Sequence, residues 1–259
     1  MRTEVLGCPV DVVDADGAVL RLRAQIDAFR ERSTTSLSVV TLGTEMVVRA
    51  QSDEEFRALL QRAGLVLCDT IGVWFASRIP QRGRPTHPLP ERVTGVSLVE
   101  RLAADCAQRG GALYLLGGRG DTASLAAKRL VDRYPGLTVA GVRDGYFAAE
   151  ESEEIAATIA ASGAEVLLCA LGSPRQERWI DRHLARTGCA IGIGVGGAFD
   201  VFSGRTTRAP EWMQAIGWEW LYRLLKEPQR WRRQLALPHF VWLIVRDILV
   251  TSDARSPHR

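Results

Sequence analysis

Short apolar runs rich in β-branched residues recur along this chain at 37–42, 65–68, 112–116, 138–142, 166–170 and 190–195. Most of them read as strands buried on both faces. Between several lie segments with apolar positions three or four apart, at 53–63, 98–108, 122–134 and 151–161, which read as helices. Strands with two buried faces need helices on both sides, and strand–helix alternation supplies them through parallel crossovers. The expected fold is therefore α/β, a Rossmann-like, mostly parallel sheet with helices on both faces. Gly64, Gly110 and Gly163 each follow a helical pattern and precede a strand, where left-handed helix ends are expected. Tyr134-Pro135-Gly136 serves the same purpose. The stretch 80–90, with four prolines, reads as a long mobile loop over the sheet edge.

The pattern changes after Pro210. An α/β core over 1–210 is expected to give way to a helical basic appendage over 211–259, with Trp212, Met213, Ile216, Trp220, Leu221, Leu224 and Leu225 in helical spacing. Its apolar run at 240–250, interrupted by Arg246-Asp247, fits a helix docked on the core and an interfacial membrane helix equally. From Arg205 onward ten Lys/Arg face five Asp/Glu, so the +3 net charge of the chain is carried by this end. That asymmetry points to a phosphate-rich ligand or an anionic surface rather than nucleic acid, with a solvated basic helix face as the plain alternative.

With 259 residues, 46% hydrophobic and 24% charged, the chain can bury a substantial core. No stretch approaches the roughly 20 apolar residues of a transmembrane helix, and no secretory signal is recognisable, so a cytoplasmic protein is expected. Cys8, Cys68, Cys106, Cys169 and Cys189 form no CxxC pair and read as reduced, buried thiols, and the four histidines are isolated, so no metal centre is expected.

Ligands of open α/β sheets bind at the carboxyl ends of strands. Thr41 and Asp69 both terminate apolar runs. Asp69 fits either an N-cap for the following helix or a general base. Gly117 and Gly118 lie in a strand–turn–helix segment that would present backbone N–H groups to an anion, or simply reverse the chain. Residues 192–197, including Gly196 and Gly197, match G-x-G-x-x-G, but residues 198–204 do not continue it as a clean helical pattern, so an NAD site is not expected. Asp14-Ala15-Asp16 has the D-x-D form of a diphosphate-bound cation site, yet before Gly17 it reads as a turn. Without a cation, arginines would have to neutralise a diphosphate. Arg223, Arg230 and Arg233 would share one helix side if the helix ran through Pro228.

Several ordered blocks then carry a resemblance over nearly the whole chain. They include Glu45-Met46-Val47-Val48, Leu67-Cys68-Asp69, Glu91-Arg92-Val93-Thr94-Gly95, Leu115-Leu116-Gly117-Gly118 and Asp144-Gly145-Tyr146-Phe147. They continue in Leu171-Gly172-Ser173-Pro174-Arg175-Gln176-Glu177, Gly194-Val195-Gly196-Gly197-Ala198-Phe199-Asp200, Arg208-Ala209-Pro210-Glu211-Trp212-Met213 and Glu219-Trp220-Leu221-Tyr222-Arg223-Leu224. The chain resembles the bacterial glycosyltransferases of the WecG/TagA/CpsF family.

That resemblance implies an inverting transfer, without metal or other cofactor, of N-acetylmannosamine or a related hexose. The donor would be a UDP-sugar and the acceptor a polyprenyl-diphosphate-linked saccharide, in cell-surface polysaccharide or wall-polymer synthesis at the inner face of the membrane. It implies Asp69 as catalytic base, Thr41 beside the sugar, Arg92 on the donor, Gln176 at the nucleotide, and Arg223, Arg230 and Arg233 over the diphosphate. The glycine turns at 117–118 and 196–197 join them as substrate-binding. The appendage would touch the membrane, and its tryptophans equally fit a homo-oligomer.

Two positions depart from the family pattern. Gly43 stands where many relatives carry asparagine, and Thr70 where glycine is common, so a donor other than UDP-N-acetylmannosamine is expected. Two rival readings are a nucleotide-dependent sugar-modifying enzyme and a non-catalytic UDP-sugar or lipid-surface binding module.

Overall fold

The computed structural model describes residues 1–80, 87–226, 231 and 235–253. The expected loop at 80–90 thus falls largely outside the described residues. A hairpin of β1 (Arg2–Val5) and β2 (Cys8–Asp11) precedes a six-stranded sheet. The sheet contains β3 (Leu37–Leu42), β4 (Leu65–Cys68), β5 (Ala112–Gly117), β6 (Thr138–Arg143), β7 (Val166–Ala170) and β8 (Ile191–Gly194). Its strand order is β4-β3-β8-β7-β5-β6, and every pairing is parallel. Successive strands first build one edge, then jump to the other, and β7 and β8 fill the gap. This brings the carboxyl ends of β3, β4, β5, β7 and β8 together.

Neighbouring residues on each strand point to opposite helical layers, as the pleat requires. Val39, Leu65, Leu67, Leu113, Leu115, Leu168 and Ile193 pack beneath α1 (Ala15–Arg30), α5 (Gly95–Arg109), α6 (Thr122–Arg133) and α9 (Ala198–Phe202). On the other face, Val40, Leu42, Val66 and Cys68 meet α2 (Thr44–Arg49), α3 (Glu54–Arg62) and α4 (Ile71–Ala76). Tyr114, Leu116, Leu167 and Cys169 meet α7 (Ser152–Ser162) and α8 (Arg175–His183). Most strands are buried on both faces as read, and β6 is an exception, forming a sheet edge with no fully buried residue. Burial pushes the Cys8 and Cys68 thiols up to about 12, so neither supplies a thiolate near neutral pH.

Gly110 and Gly163 end α5 and α7 in the left-handed conformation, with φ of 73° and 70°. Gly64 does not do so. Helix α3 ends through Ala63 in an extended conformation, and a Cβ on Gly64 would fall 2.3 Å from Leu37 Cδ1. The Asp14-to-Gly17 stretch, expected as a turn, is the start of α1: Asp14 is its N-cap, and its Oδ1 accepts from Gly17 N at 2.8 Å.

Buried Asp11 ties the hairpin to the sheet edge. Its Oδ2 accepts from Val66 N at 2.9 Å and from Arg2 Nε at 3.2 Å, and its Oδ1 pairs with Arg21 on α1 at 3.1 Å. Asp11→Ala would leave the Val66 N–H buried and unpaired. A loss of about 2 kcal/mol is expected, read from urea unfolding.

The C-terminal helices include α10 (Glu211–Ala215), α11 (Glu219–Lys226) and α12 (Ala236–Asp253) among the described residues. Helix α12 docks on the core through Phe240, Leu243 and Ile244, beside Met46, Val47, Val73 and Ala76. Its other side leaves Val241, Trp242, Val245, Leu249 and Val250 exposed. Among the described residues no helix is long and apolar enough to cross a membrane.

Candidate active site

A cleft of about 590 Å³ opens at the carboxyl edge of the sheet. Thr41, Asp69, Arg92, Gly118, Gln176, Gly196 and Gly197 line it, whereas Gly117 stands one residue back. Arg223 lies on α11, and Arg230 and Arg233 fall outside the described residues. The continuity of an arginine-bearing helix through Pro228 falls outside them too.

Asp69 follows β4, where its N–H donates to Leu42 O at 3.1 Å. The expected alternative, an N-cap for the next helix, takes another form. Thr70 is the N-cap of α4 and makes no side-chain cap bond. Asp69 Oδ1 instead accepts from Gly95 N at 2.9 Å, the first N–H of the 15-residue α5. A carboxylate there meets the positive end of the helix dipole. Gly95 is also where the walls converge, since a Cβ on it would lie 3.4 Å from Val195 O and 3.7 Å from Thr41 Oγ1. Thr41 Oγ1 donates to Gly194 O at 2.8 Å, which fixes that hydroxyl at the mouth of β8.

The glycine turn after β5 is less open to an anion than expected, because Gly118 N–H is spent on Ala170 O at 3.1 Å. Gly118 O in turn accepts from Gly145 N at 2.9 Å. A Cβ on Gly117, whose φ is 132°, would lie 2.4 Å from Ala170 C. These glycines let β5, β7 and the 144–147 loop approach closely. After β8 the chain turns at Gly196-Gly197 into α9, a helix of five residues.

Arg92 donates through Nη2 to Gln214 O, joining the cleft wall to α10. The α10–α11 turn rests on α4. Gly217 there has φ of 80°, and a Cβ on it would fall 2.6 Å from Ile71 Cγ1. Gly217, Glu219, Trp220 and Leu237 all face the cleft, so the C-terminal helices form part of its wall. Asp14 and Asp16 are occupied elsewhere, Asp16 with Arg101. Among the described residues no cluster of His, Cys, Asp and Glu could hold a metal ion.

The family described as glycosyl transferase WecG/TagA/CpsF matches residues 3–254. This chain belongs to that family. Two curated relatives are both N-acetylglucosaminyldiphosphoundecaprenol N-acetyl-beta-D-mannosaminyltransferases. One, from Bacillus spizizenii (strain ATCC 23059 / NRRL B-14472 / W23), is 33% identical over 208 residues, covering 80% of this chain and 78% of the relative. The other, from Bacillus subtilis (strain 168), is 30% identical over 209 residues, covering 81% and 79%.

In this glycosyltransferase Gly43 and Thr70, read in the sequence as departures from the family pattern, lie close together. Gly43 and Thr70 both line the cleft, and a Cβ on Gly43 would meet Thr70 Cγ2 at 3.4 Å. Sequence reasoning does not single out Tyr146, 70% exposed on the cleft rim, or Arg119, Arg175 and Asp200, which also line it. Tyr146, Arg175 and Asp200 sit inside the blocks that carry the resemblance, and that is the signal by which they could be found. Arg175 stacks over Phe147, 4.9 Å from the ring centroid, and so is held beside the 144–147 loop.

Proposed function

We propose that this glycosyltransferase moves N-acetylmannosamine or a related hexose, with inversion, from a UDP-sugar to a polyprenyl-diphosphate-linked saccharide. The product would enter cell-surface polysaccharide or wall-polymer synthesis. The observation that carries this reading is the juxtaposition of Asp69 and Thr41 around Gly95 in the cleft of a chain related to two mannosaminyltransferases.

In this reading an acceptor hydroxyl loses its proton to the Asp69 carboxylate as its oxygen attacks the anomeric carbon. The bond from that carbon to the diphosphate oxygen breaks, and UDP departs with the electron pair. Charge on the departing diphosphate is met by guanidinium groups, with Arg92 in the cleft wall and Arg223, Arg230 and Arg233 from the appendage, rather than by a metal. Thr41 sits beside the sugar, Gln176 and the 196–197 turn beside the nucleotide, and the 117–118 turn behind the diphosphate.

A lipid-borne acceptor calls for a protein that works at the membrane surface. The apolar side of α12, with Arg246 stacked over Trp242 at 4.8 Å, supports peripheral attachment at the inner face.

The test is turnover of a panel of UDP-sugars with a short-chain polyprenyl-diphosphate-linked N-acetylglucosamine acceptor. Transfer is expected, with a donor other than UDP-N-acetylmannosamine preferred, because Gly43 carries no amide to bind a sugar substituent. If UDP-N-acetylmannosamine gave the highest kcat/KM, the specificity reading would fail and the transfer reading would stand. UDP binding with no product from any donor would favour a binding module, and stabilisation by NAD would favour a sugar-modifying enzyme.

A further inference from the structure

Gln176 and Glu177 open α8 and are 3% and 2% exposed. Polar groups this deep between sheet and helix must be hydrogen-bonded to be tolerated. Gln176 Nε2 donates to Glu177 Oε1 at 2.7 Å, and Gly196 N–H donates to Gln176 Oε1 at 3.1 Å. Together the two bonds settle which way the amide faces, because Gly196 N–H requires the carbonyl oxygen and the amino group then requires an acceptor. Gly194 makes room for the pair: a Cβ there would fall 2.7 Å from Gln176 Nε2 and 3.1 Å from Glu177 Oε1. The carbonyl of Gly194 is the one that holds Thr41.

Gln176, Gly196 and Gly197 line the cleft, whereas Glu177 lies behind them. Glu177 Oε2 is buried without a hydrogen-bond partner. Burial pushes the Glu177 carboxyl pKa up, against the opposing pull of Gln176, its own backbone N–H, Ser173 and the Arg49 charge. A leucine would fill this space with no orphaned oxygen, so packing gives no reason for a carboxyl here. What a leucine cannot do is accept from Gln176.

We infer that Glu177 is a positioning residue for donor binding: by accepting from Gln176 Nε2 it keeps the Gln176 carbonyl on Gly196 N–H, and so sets the Gly196-Gly197 turn in the cleft. The inference rests on the reading of that cleft as a UDP-sugar site.

The test compares Glu177→Leu, Glu177→Asp and Glu177→Gln in the full chain, by calorimetric UDP titration and by donor kinetics. Leu removes the acceptor, and Asp draws it back by one methylene. Each is expected to raise the UDP Kd and donor KM about tenfold, with kcat held within about threefold. Gln keeps a carbonyl for Gln176 Nε2 and is expected to stay within about threefold of the parent in Kd and KM. In 15N-labelled protein the Gln176 side-chain amide pair should stay in place in the Gln variant and move toward the free-glutamine position in the Asp variant. If the Leu variant does not fold, the Asp variant decides alone. An Asp or Leu variant that binds UDP as the parent does, or a Gln variant weakened as much as they are, overturns the role of Glu177. A parent protein that binds no UDP overturns the donor reading itself.

Discussion

Asp69→Asn is expected to lower turnover of sugar transfer by about a hundred- to ten-thousand-fold while changing UDP affinity by less than about threefold. Asp69 Oδ1 accepts from Gly95 N at the start of α5, and an asparagine carbonyl can accept the same bond. What it cannot do is take a proton from an attacking hydroxyl. Asp69→Ala is a poorer probe, because it strips a partly buried helix-terminal N–H of its partner and so mixes a loss of stability into the loss of rate. The measurement is steady-state transfer to a lipid-linked acceptor together with calorimetric UDP titration. A parallel loss of UDP binding in the Asn variant would assign Asp69 to holding α5 rather than to chemistry.

The sheet is legible in the sequence because most of its strands are predominantly apolar runs. Runs 37–42, 65–68 and 166–170 match β3, β4 and β7 at both ends. Helices too short for a period to develop, and short strands that carry polar residues, leave no comparable trace. The four-residue strands β1 and β2 and the six-residue helices α2 and α4 escape a reading by periodicity, although α2 and α4 carry Thr44, Met46, Ile71 and Gly72 to the cleft. Helix α1 is hidden by its own N-cap, since Asp14-Ala15-Asp16-Gly17 has the composition of a turn.

The site is legible to the extent that polar residues closing apolar strands can be picked out. How those residues are held is not, because the partners are remote in sequence. Asp69 binds Gly95, Thr41 binds Gly194, and Gly118 gives its N–H to Ala170. Local spacing carries no information on such pairings. Gly64 shows the same limit: its position before a strand suggests a helix cap, whereas in the fold a Cβ there would crowd the Leu37 side chain and meet Ser38 O at 3.4 Å.

Phe240→Ala is expected to cost about 3–5 kcal/mol of stability, the range for deleting a buried aromatic ring. In sequence, 240–250 is apolar almost all round, so periodicity cannot say which stripe faces the core. In the fold Phe240, Leu243 and Ile244 complete the same cluster as Met46 and Val47 of α2 and Val73 of α4. A Cβ on Gly72 would lie 3.6 Å from the Phe240 ring. Helix α12 is thus part of the packing that fixes two helices of the cleft wall, and emptying the Phe240 site should loosen donor binding as well as the fold. Urea unfolding gives the first effect and UDP titration the second. Trp242→Ala sets the contrast, since Trp242 is 54% exposed on the opposite side of the helix. Its stability should stay within about 0.5 kcal/mol of the parent, whereas retention on vesicles of anionic lipid should fall if that side meets the membrane. A Trp242→Ala variant that unfolds early but binds vesicles normally would reverse the assignment of the two faces.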